Sequence, residues 1–271
     1  MKYKFFYVPL LYFIHTRISG TSKLISWLFL FFLPTFYIQY HFSNLSLTNA
    51  FWIYLIQLAL VYNMYEMGYI QNDAETIKNE RIPTRRLSDE ELEYYEEHKG
   101  FIFVGRSFLA GILLYILDIQ IHDSDGYVRF AVIILLITQL YFIYNVIRSR
   151  LTLILHFCLV CLRYLGFPLL FISIREIDPL TVIILLGVFP IINLVERASN
   201  KKFGIRVLSG VNDNEYSLSI FRLAYHFLLL VCTIGIVAFF RDELWLAVLV
   251  FYLFFIRMCY FAYLYRRRKV S

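Results

Sequence analysis

The sequence predicts an all-α fold, a polytopic transmembrane helical bundle of about eight spans. Of its 271 residues, 60% are hydrophobic and only 17% are charged, whereas a soluble domain is roughly half apolar and about a quarter charged. Long apolar stretches alternate with short clusters of basic residues. Because no linker rich in Pro, Gly or Ser interrupts this pattern, we predict that residues 1-271 form a single integral membrane domain.

The apolar stretches define the predicted elements. A helix that crosses a membrane needs about 20 mostly apolar residues, and the sequence offers eight such stretches at 24-42, 50-70, 101-117, 128-147, 151-174, 180-196, 216-240 and 244-264. Ahead of them, Lys2 and Lys4 precede an apolar run at 5-14. No small-residue cleavage site follows this run, so we interpret it as a retained interfacial helix.

The basic residues predict the orientation, because loops that stay in the cytoplasm carry an excess of Lys and Arg. With the N-terminus inside, the inner segments hold 19 of the 26 basic residues. We therefore predict a multi-pass protein of the plasma (inner) membrane, with both termini cytoplasmic and the lipid bilayer as its surroundings. Since the basic clusters are short and separated by apolar stretches, we expect no nucleic-acid partner.

Two long inner loops, 71-100 and 197-215, follow the second and sixth stretches. Ser88 and Glu91 have the spacing of a capping box, which predicts a short helix that lies on the membrane surface and runs to Gly100.

The candidate site residues stand where these loops begin. Asp73, Thr76 and Glu80 have the i, i+3, i+7 spacing that places side chains on one helical face, and Glu196 and Asn200 lie at the corresponding end of the sixth stretch. Two helices therefore direct oxygen atoms toward one cytoplasmic mouth. Such a site suits a diphosphate held through magnesium, which is bound by one or two carboxylates together with substrate phosphates.

These residues resemble the motifs of the UbiA superfamily of intramembrane prenyltransferases, which are all-helical bundles, typically of nine spans. The family carries NDxxDxxxD after its second helix and DxxxD after its sixth. In this sequence the corresponding residues are Asn72, Asp73, Thr76 and Glu80, then Glu196 and Asn200. Thr76 replaces an Asp of the first motif, and neither residue of the second motif is Asp. The match therefore supports one magnesium ion.

The resemblance also implies roles for individual residues. The diphosphate would depart with the help of magnesium and basic side chains, and an acceptor would attack the carbocation-like centre. Asp73, Glu80 and Glu196 would be the catalytic residues and the metal ligands. The residues expected to bind substrate are Asn72, Arg81, Arg85, Arg106, Asn200, Lys201 and Lys202.

Three functions follow from this pattern. The first is prenyl transfer from an isoprenoid diphosphate, which is the commoner activity of the family. The second is phosphoribosyl transfer to polyprenyl phosphate, because the residues after the first motif resemble that branch; they are Glu80, Arg81, Pro83, Thr84 and Arg86. The third is a non-catalytic membrane or lipid-binding protein that keeps a degenerate UbiA-like site.

Overall fold

The structure, a computed structural model, describes residues 3–18, 20–79, 84–147, 149–239 and 244–270. Over these ranges the chain forms nine helices and no strand. In chain order they are α1 (Leu11–Arg17), α2 (Thr21–Ser43), α3 (Leu47–Ala74), α4 (Asp89–Ile121), α5 (Ser124–Val146), α6 (Leu151–Leu165), α7 (Pro179–Ala198), α8 (Glu215–Phe239) and α9 (Leu244–Val270). Seven of them, α2 to α5 and α7 to α9, are long and apolar enough to cross a membrane. The predicted all-α polytopic bundle is confirmed.

The span predicted at 151-174 is wrong in length. Its helix, α6, has 15 residues and ends at Leu165. Gly166 and Phe167 follow, and Pro168 begins a single 3₁₀ turn, since proline has no N–H to continue an α-helical ladder. At 1.5 Å per residue α6 is about 22 Å long, which is shorter than the hydrocarbon core of about 30 Å.

The surface helix predicted after Ser88 is instead the beginning of a span. Ser88 and Glu91 do form the capping box, with both reciprocal hydrogen bonds present. The helix that they start then continues through Gly100 to Ile121 without a break. One glycine costs a helix about 1 kcal/mol, which is too little to end α4 when an apolar stretch follows directly.

The N-terminal run, predicted to be an interfacial helix, packs against the bundle. It forms a 3₁₀ turn, Lys4–Phe6, followed by α1. Phe6 and Tyr12 are both 0% exposed, and they belong to a core cluster that includes Ile70 of α3 and Ile102 of α4. Burial of these rings holds the N-terminal segment against one end of the bundle.

The long helices present apolar side chains outward, as lipid-facing helices do. On α4, Phe101, Val104 and Phe108 are 69 to 77% exposed. The opposite face of α4 is buried at Ile102, Arg106, Ala110 and Leu117. This inversion, with apolar side chains outside and a charged residue inside, is what a bilayer environment favours.

Side-chain contacts bring several helix termini to one end of the bundle. Arg17 at the end of α1 binds Asp73 at the end of α3, and Arg197 at the end of α7 donates to the hydroxyl of Tyr144 in α5. We call this the basic end, and it comprises residues 11–18, 20–23, 72–79, 84–92, 144–147, 149–152 and 196–222. The described residues of the predicted inner loops therefore lie at the same end.

Two of the spans contain π-helical segments, Leu28–Phe32 in α2 and Gly187–Ile191 in α7. In α7 the segment contains Pro190, which cannot donate a backbone hydrogen bond. Tyr225 of α8 donates its hydroxyl to the carbonyl oxygen of Gly187 at 2.7 Å. This bond joins α8 to the π-helical segment of α7.

Candidate functional site

The first motif does not lie on one continuous helical face. α3 ends at Ala74, and the chain continues as a 3₁₀ helix, Thr76–Asn79. A 3₁₀ helix has three residues per turn rather than 3.6, so the predicted alignment of Asp73 with Thr76 is lost. Two predicted site residues, Glu80 and Arg81, lie outside the described residues.

Asp73 is buried and held by four neighbours. Arg17 donates from Nη1 to Oδ2 at 2.8 Å and from Nη2 to Oδ1 at 3.0 Å. Arg86 and Asn72 each donate to Oδ1 at 3.2 Å, and the Tyr12 hydroxyl donates to Oδ2 at 3.2 Å. Two guanidinium groups therefore compensate the charge of this one carboxylate.

The titration behaviour of the two neighbours on α1 agrees with this arrangement. Burial by itself would lower the pKa of Arg17, but the hydrogen bonds and charge of Asp73 outweigh it and raise the pKa above its ordinary value. Burial, together with the charge of Asp73, raises the pKa of Tyr12 well above its ordinary value. Arg17 thus remains charged and Tyr12 remains a hydrogen-bond donor at neutral pH.

The second motif is also divided. Glu196 accepts two hydrogen bonds from Arg222 of α8, Nε to Oε1 at 2.7 Å and Nη2 to Oε2 at 2.6 Å. α7 ends at Ala198, and Asn200 caps the following 3₁₀ turn by accepting a hydrogen bond from the backbone N–H of Lys202 at 3.3 Å. Glu196 and Asn200 therefore do not share a helical face.

The described residues do not fit the magnesium site that the family resemblance implies. Within the described ranges, no three His, Cys, Asp or Glu side chains are grouped so that they could hold a metal ion. A divalent cation at Asp73 would have to displace Arg17 and Arg86, and one at Glu196 would have to displace Arg222.

Arg106, a predicted phosphate-binding residue, fastens the N-terminal segment instead. Its side chain is 0% exposed and pairs with the equally buried Glu66, Nη1 to Oε2, at 3.0 Å. Its other donors bind backbone carbonyl oxygens of Phe5, Phe6 and Asn63 at 2.7 to 3.2 Å. Every bond in this set joins Arg106 to the protein itself, which indicates a structural role.

Two other predicted substrate-binding residues point toward solvent. The Arg85 side chain is 72% exposed and lies 3.5 Å from Asp89. The Lys201 side chain is 86% exposed and lies 3.8 Å from Asp213. Exposed pairs of this kind contribute little to stability, and neither basic residue lines the cavity described next.

A cavity of about 500 Å³ opens at the basic end, and we call it the basic cavity. Five cationic side chains line it: Arg17, Arg86, Arg150, Arg197 and Lys202. The described residues of its wall include no Asp or Glu; the other polar residues are Asn72, Asn145, Thr84, Ser149, Thr152, Tyr69, Tyr141 and Tyr144. A concave site lined by charges of one sign raises the local concentration of oppositely charged ligands.

Arg197 is the lining residue with the clearest unused donor. It donates from Nη2 to the hydroxyl of Tyr144, and its guanidinium lies over that ring at 5.9 Å. Its Nε atom is buried and has no hydrogen-bond partner among the described residues. A buried polar group is normally satisfied, so an unpartnered donor on this side chain is unusual.

Close helix packing positions the aromatic wall of the cavity. A Cβ atom added at Gly68 of α3 would lie 2.1 Å from Cδ1 of Tyr141. Asn145 donates to the Gly68 carbonyl oxygen at 2.9 Å and to Oε1 of Gln71 at 2.8 Å. The absence of a side chain at Gly68 therefore allows α5 to approach α3 and directs Tyr141 and Asn145 to the cavity.

The sequence predicted two of the lining residues, Asn72 and Lys202, as site residues. Arg17, Arg150 and Arg197 were counted only among the 19 basic residues of the inner segments, which predict the orientation. Each of these three arginines immediately borders a helix end on the predicted inner side. Alternating spans bring residues of the inner side to one end of a bundle. The position of these three arginines on that side was therefore the signal by which the sequence could have placed them in the site.

The fold and the cavity define a class: a multi-pass α-helical membrane protein with a cationic cavity at one end of its bundle. Comparisons of the chain with family models, with curated proteins and with solved structures give no match. The resemblance to the UbiA superfamily therefore depends on its motif residues and stays a prediction.

Proposed function

We propose that this protein is a membrane-embedded transferase that binds the diphosphate of its donor in the basic cavity and transfers a prenyl group. The basic cavity carries the proposal, because five cations surround a space of about 500 Å³ and the described residues of its wall include no carboxylate. Arginine binds phosphate oxygens with paired, charge-assisted hydrogen bonds. A diphosphate is thus the ligand that this wall suits best, and the UbiA-like motif residues beside it favour transfer chemistry.

In this proposal the side chains of the wall act on the leaving group. The bond between the prenyl C1 carbon and the diphosphate oxygen breaks, and its electron pair leaves with the diphosphate. Arg150, Arg197 and Lys202 neutralise the charge that develops on that oxygen, which is the kind of electrostatic stabilisation that lowers a barrier most. The acceptor forms the new bond to C1 and releases its proton to solvent.

Asp73 acts indirectly in this scheme. It fixes Arg17 and Arg86 through the hydrogen bonds described above, so that both guanidinium groups stay at the wall of the cavity. Holding charged donors in place before the reaction avoids the cost of reorganising them during it.

A second candidate activity is phosphoribosyl transfer to polyprenyl phosphate. Thr84 and Arg86 from the tail of the first motif both line the basic cavity, and those residues carry the resemblance to that branch. Phosphoribosyl diphosphate would then be the occupant of the cavity, and the polyprenyl phosphate would be the acceptor.

The binding step is tested with inorganic pyrophosphate and purified protein in detergent, with and without EDTA. We expect wild type to bind pyrophosphate in both buffers and Arg197→Gln to bind at least about tenfold more weakly, because a hydrogen bond to a charged group contributes about 1.5–3 kcal/mol. Arg175→Gln is the matched control, since Arg175 is exposed and precedes α7 at the opposite end. Equal affinity of wild type and Arg197→Gln would reject the cavity as the diphosphate site.

The transfer step is tested by incubating wild type with a labelled prenyl diphosphate or with labelled phosphoribosyl diphosphate in the presence of membrane lipids. The donor whose label appears in a newly formed lipid after extraction is the substrate. This result decides between prenyl transfer and phosphoribosyl transfer. If pyrophosphate binds and neither donor turns over, the protein is a non-catalytic binding protein and the transferase proposal fails.

A further inference from the structure

A second cavity, of about 270 Å³, adjoins the basic cavity, and Arg17 borders both. We call it the inner cavity. Its basic lining residues also include Lys23, Arg222 and Arg257, whereas Glu196 is the one carboxylate among the described residues of its wall. Arg222 binds both oxygens of Glu196, so the described wall holds four cationic side chains and one carboxylate that is already paired.

Arg257 is the unusual member of this wall. It lies seven residues before Leu264, where the apolar stretch 244-264 ends, or about 10 Å along the helix axis. Its Nε atom is buried without a hydrogen-bond partner among the described residues. An arginine placed this deep in a membrane span is costly and usually serves a ligand or a partner.

The inner cavity continues into a third, apolar cavity of about 600 Å³ between α2 and the ends of α8 and α9. Lys23, Arg222 and Arg257 line both cavities. Two more charged residues border the third cavity, Arg267 and Glu215, and Glu215 accepts a hydrogen bond from the hydroxyl of Tyr260. The rest of its wall is mainly apolar and aromatic, with Ile25, Phe29, Leu30, Ile256, Tyr263 and Leu264. Three cationic side chains thus lie where the polar inner cavity meets the mainly apolar third cavity.

The backbone departs from α-helical geometry where it forms the inner cavity. Leu30 and Phe31 of the π-helical segment in α2 line it, and so do Val188 and Phe189 of the segment in α7. π-Helical segments are frequent at functional sites. This feature is independent of the charges and indicates the same place.

From these observations we propose that Arg257, Arg222 and Lys23 bind the head group of a phosphate-bearing amphiphile whose apolar chain occupies the third cavity. The phosphate accepts hydrogen bonds from Nε and the terminal nitrogens of Arg257, while Arg222 stays oriented by Glu196. This site goes beyond the proposed function, because it binds a lipid phosphate whether or not the basic cavity supports transfer.

The test measures equilibrium binding of radiolabelled farnesyl phosphate to the full-length protein in detergent. We expect Arg257→Gln to weaken binding by about tenfold or more, since it removes a charge-assisted interaction in a site of low polarity. Arg266→Gln removes the same charge from an exposed position of the same helix and should bind like wild type. Equal affinity of wild type and Arg257→Gln would overturn the proposal.

Competing ligands distinguish the sources of the phosphate. Displacement by unlabelled farnesyl phosphate but not by dilauroyl phosphatidic acid identifies an isoprenoid phosphate, and displacement by both identifies membrane lipid phosphates in general; either result supports the site. Displacement by inorganic phosphate as effective as by farnesyl phosphate would overturn it, because the chain would then contribute nothing.

Two further measurements keep the result interpretable. If Arg257→Gln does not purify as folded protein, Lys23→Gln replaces it, since Lys23 is exposed near the start of α2; weaker farnesyl phosphate binding supports the site and unchanged binding overturns it. Pyrophosphate affinity, measured in the same variants, should stay at the wild-type value. Failure of the lipid site is thereby separated from failure of the basic cavity.

Discussion

Replacing Asp73 with Asn separates two roles that this carboxylate could have. In the structure, Asp73 is the counter-ion of Arg17 and Arg86 and is itself 1% exposed. The substitution keeps the shape of the side chain and removes its charge. It therefore leaves two guanidinium groups at the basic end without their carboxylate.

The magnitude follows from the hydrogen bonds that Asp73 accepts. A hydrogen bond to a charged group contributes about 1.5–3 kcal/mol, but Asn keeps one acceptor, and solvent screens the pair with Arg86, whose side chain is 31% exposed. We expect a loss of about 2–4 kcal/mol in the free energy of unfolding. For a chain of this size that corresponds to a melting temperature lower by about 4–16 °C.

The assay is thermal unfolding in detergent, followed by tryptophan fluorescence, with Asp89→Asn as the matched control. The Asp89 side chain is 91% exposed, so its variant should melt within about 2 °C of wild type, as surface substitutions usually do. Pyrophosphate affinity should be unchanged or stronger in Asp73→Asn, because the more positive cavity wall offsets the looser positioning of Arg17 and Arg86. An unchanged melting temperature together with lost pyrophosphate binding would refute the counter-ion role and indicate that Asp73 contacts the ligand through a metal.

Three further predictions use the same melting and binding assays. Gly68→Ala forces a Cβ against the Tyr141 ring, so it should lower the free energy of unfolding by about 1–3 kcal/mol and weaken pyrophosphate binding. The control Gly111→Ala, whose Cβ would meet nothing within 4 Å, should be neutral, and equal effects of the two variants would contradict this packing. Arg106→Met leaves Glu66 buried without its partner, so it should lower the free energy of unfolding by about 3–5 kcal/mol. Adding Glu66→Leu should restore part of this stability, and no restoration would argue against the pair. Raising the ionic strength from 0.1 to 1 M, which shortens the Debye length from about 10 to about 3 Å, should weaken pyrophosphate binding, and a flat response would contradict electrostatic capture.

The fold could be predicted because its signal is local. A stretch of about 20 apolar residues is readable without any knowledge of what it packs against. The prediction failed for α6, where Gly166 and Pro168 end the helix although apolar residues continue. The prediction also divided α4 into two helices at Gly100, whereas the apolar residues that follow this glycine continue the helix.

The site could be predicted only in part, because its contacts join distant residues. Asp73 was found from its motif, but its partner Arg17 lies 56 positions away. Arg106 was expected at a phosphate, yet its partner Glu66 is 40 positions away and fully buried. Spacing along one helix reveals a shared face and says nothing about which neighbouring helix supplies the opposite charge.

Whether the basic cavity holds a diphosphate can be seen in a structure with a bound analogue. Protein in detergent or a nanodisc would be imaged with methylenediphosphonate, which cannot undergo cleavage at its central carbon. We predict density inside the basic cavity within hydrogen-bond distance of the Arg197 guanidinium, while Arg17 and Arg86 remain bound to Asp73. Density bound to the Asp73 carboxylate through a metal ion, with both arginines displaced, would contradict it.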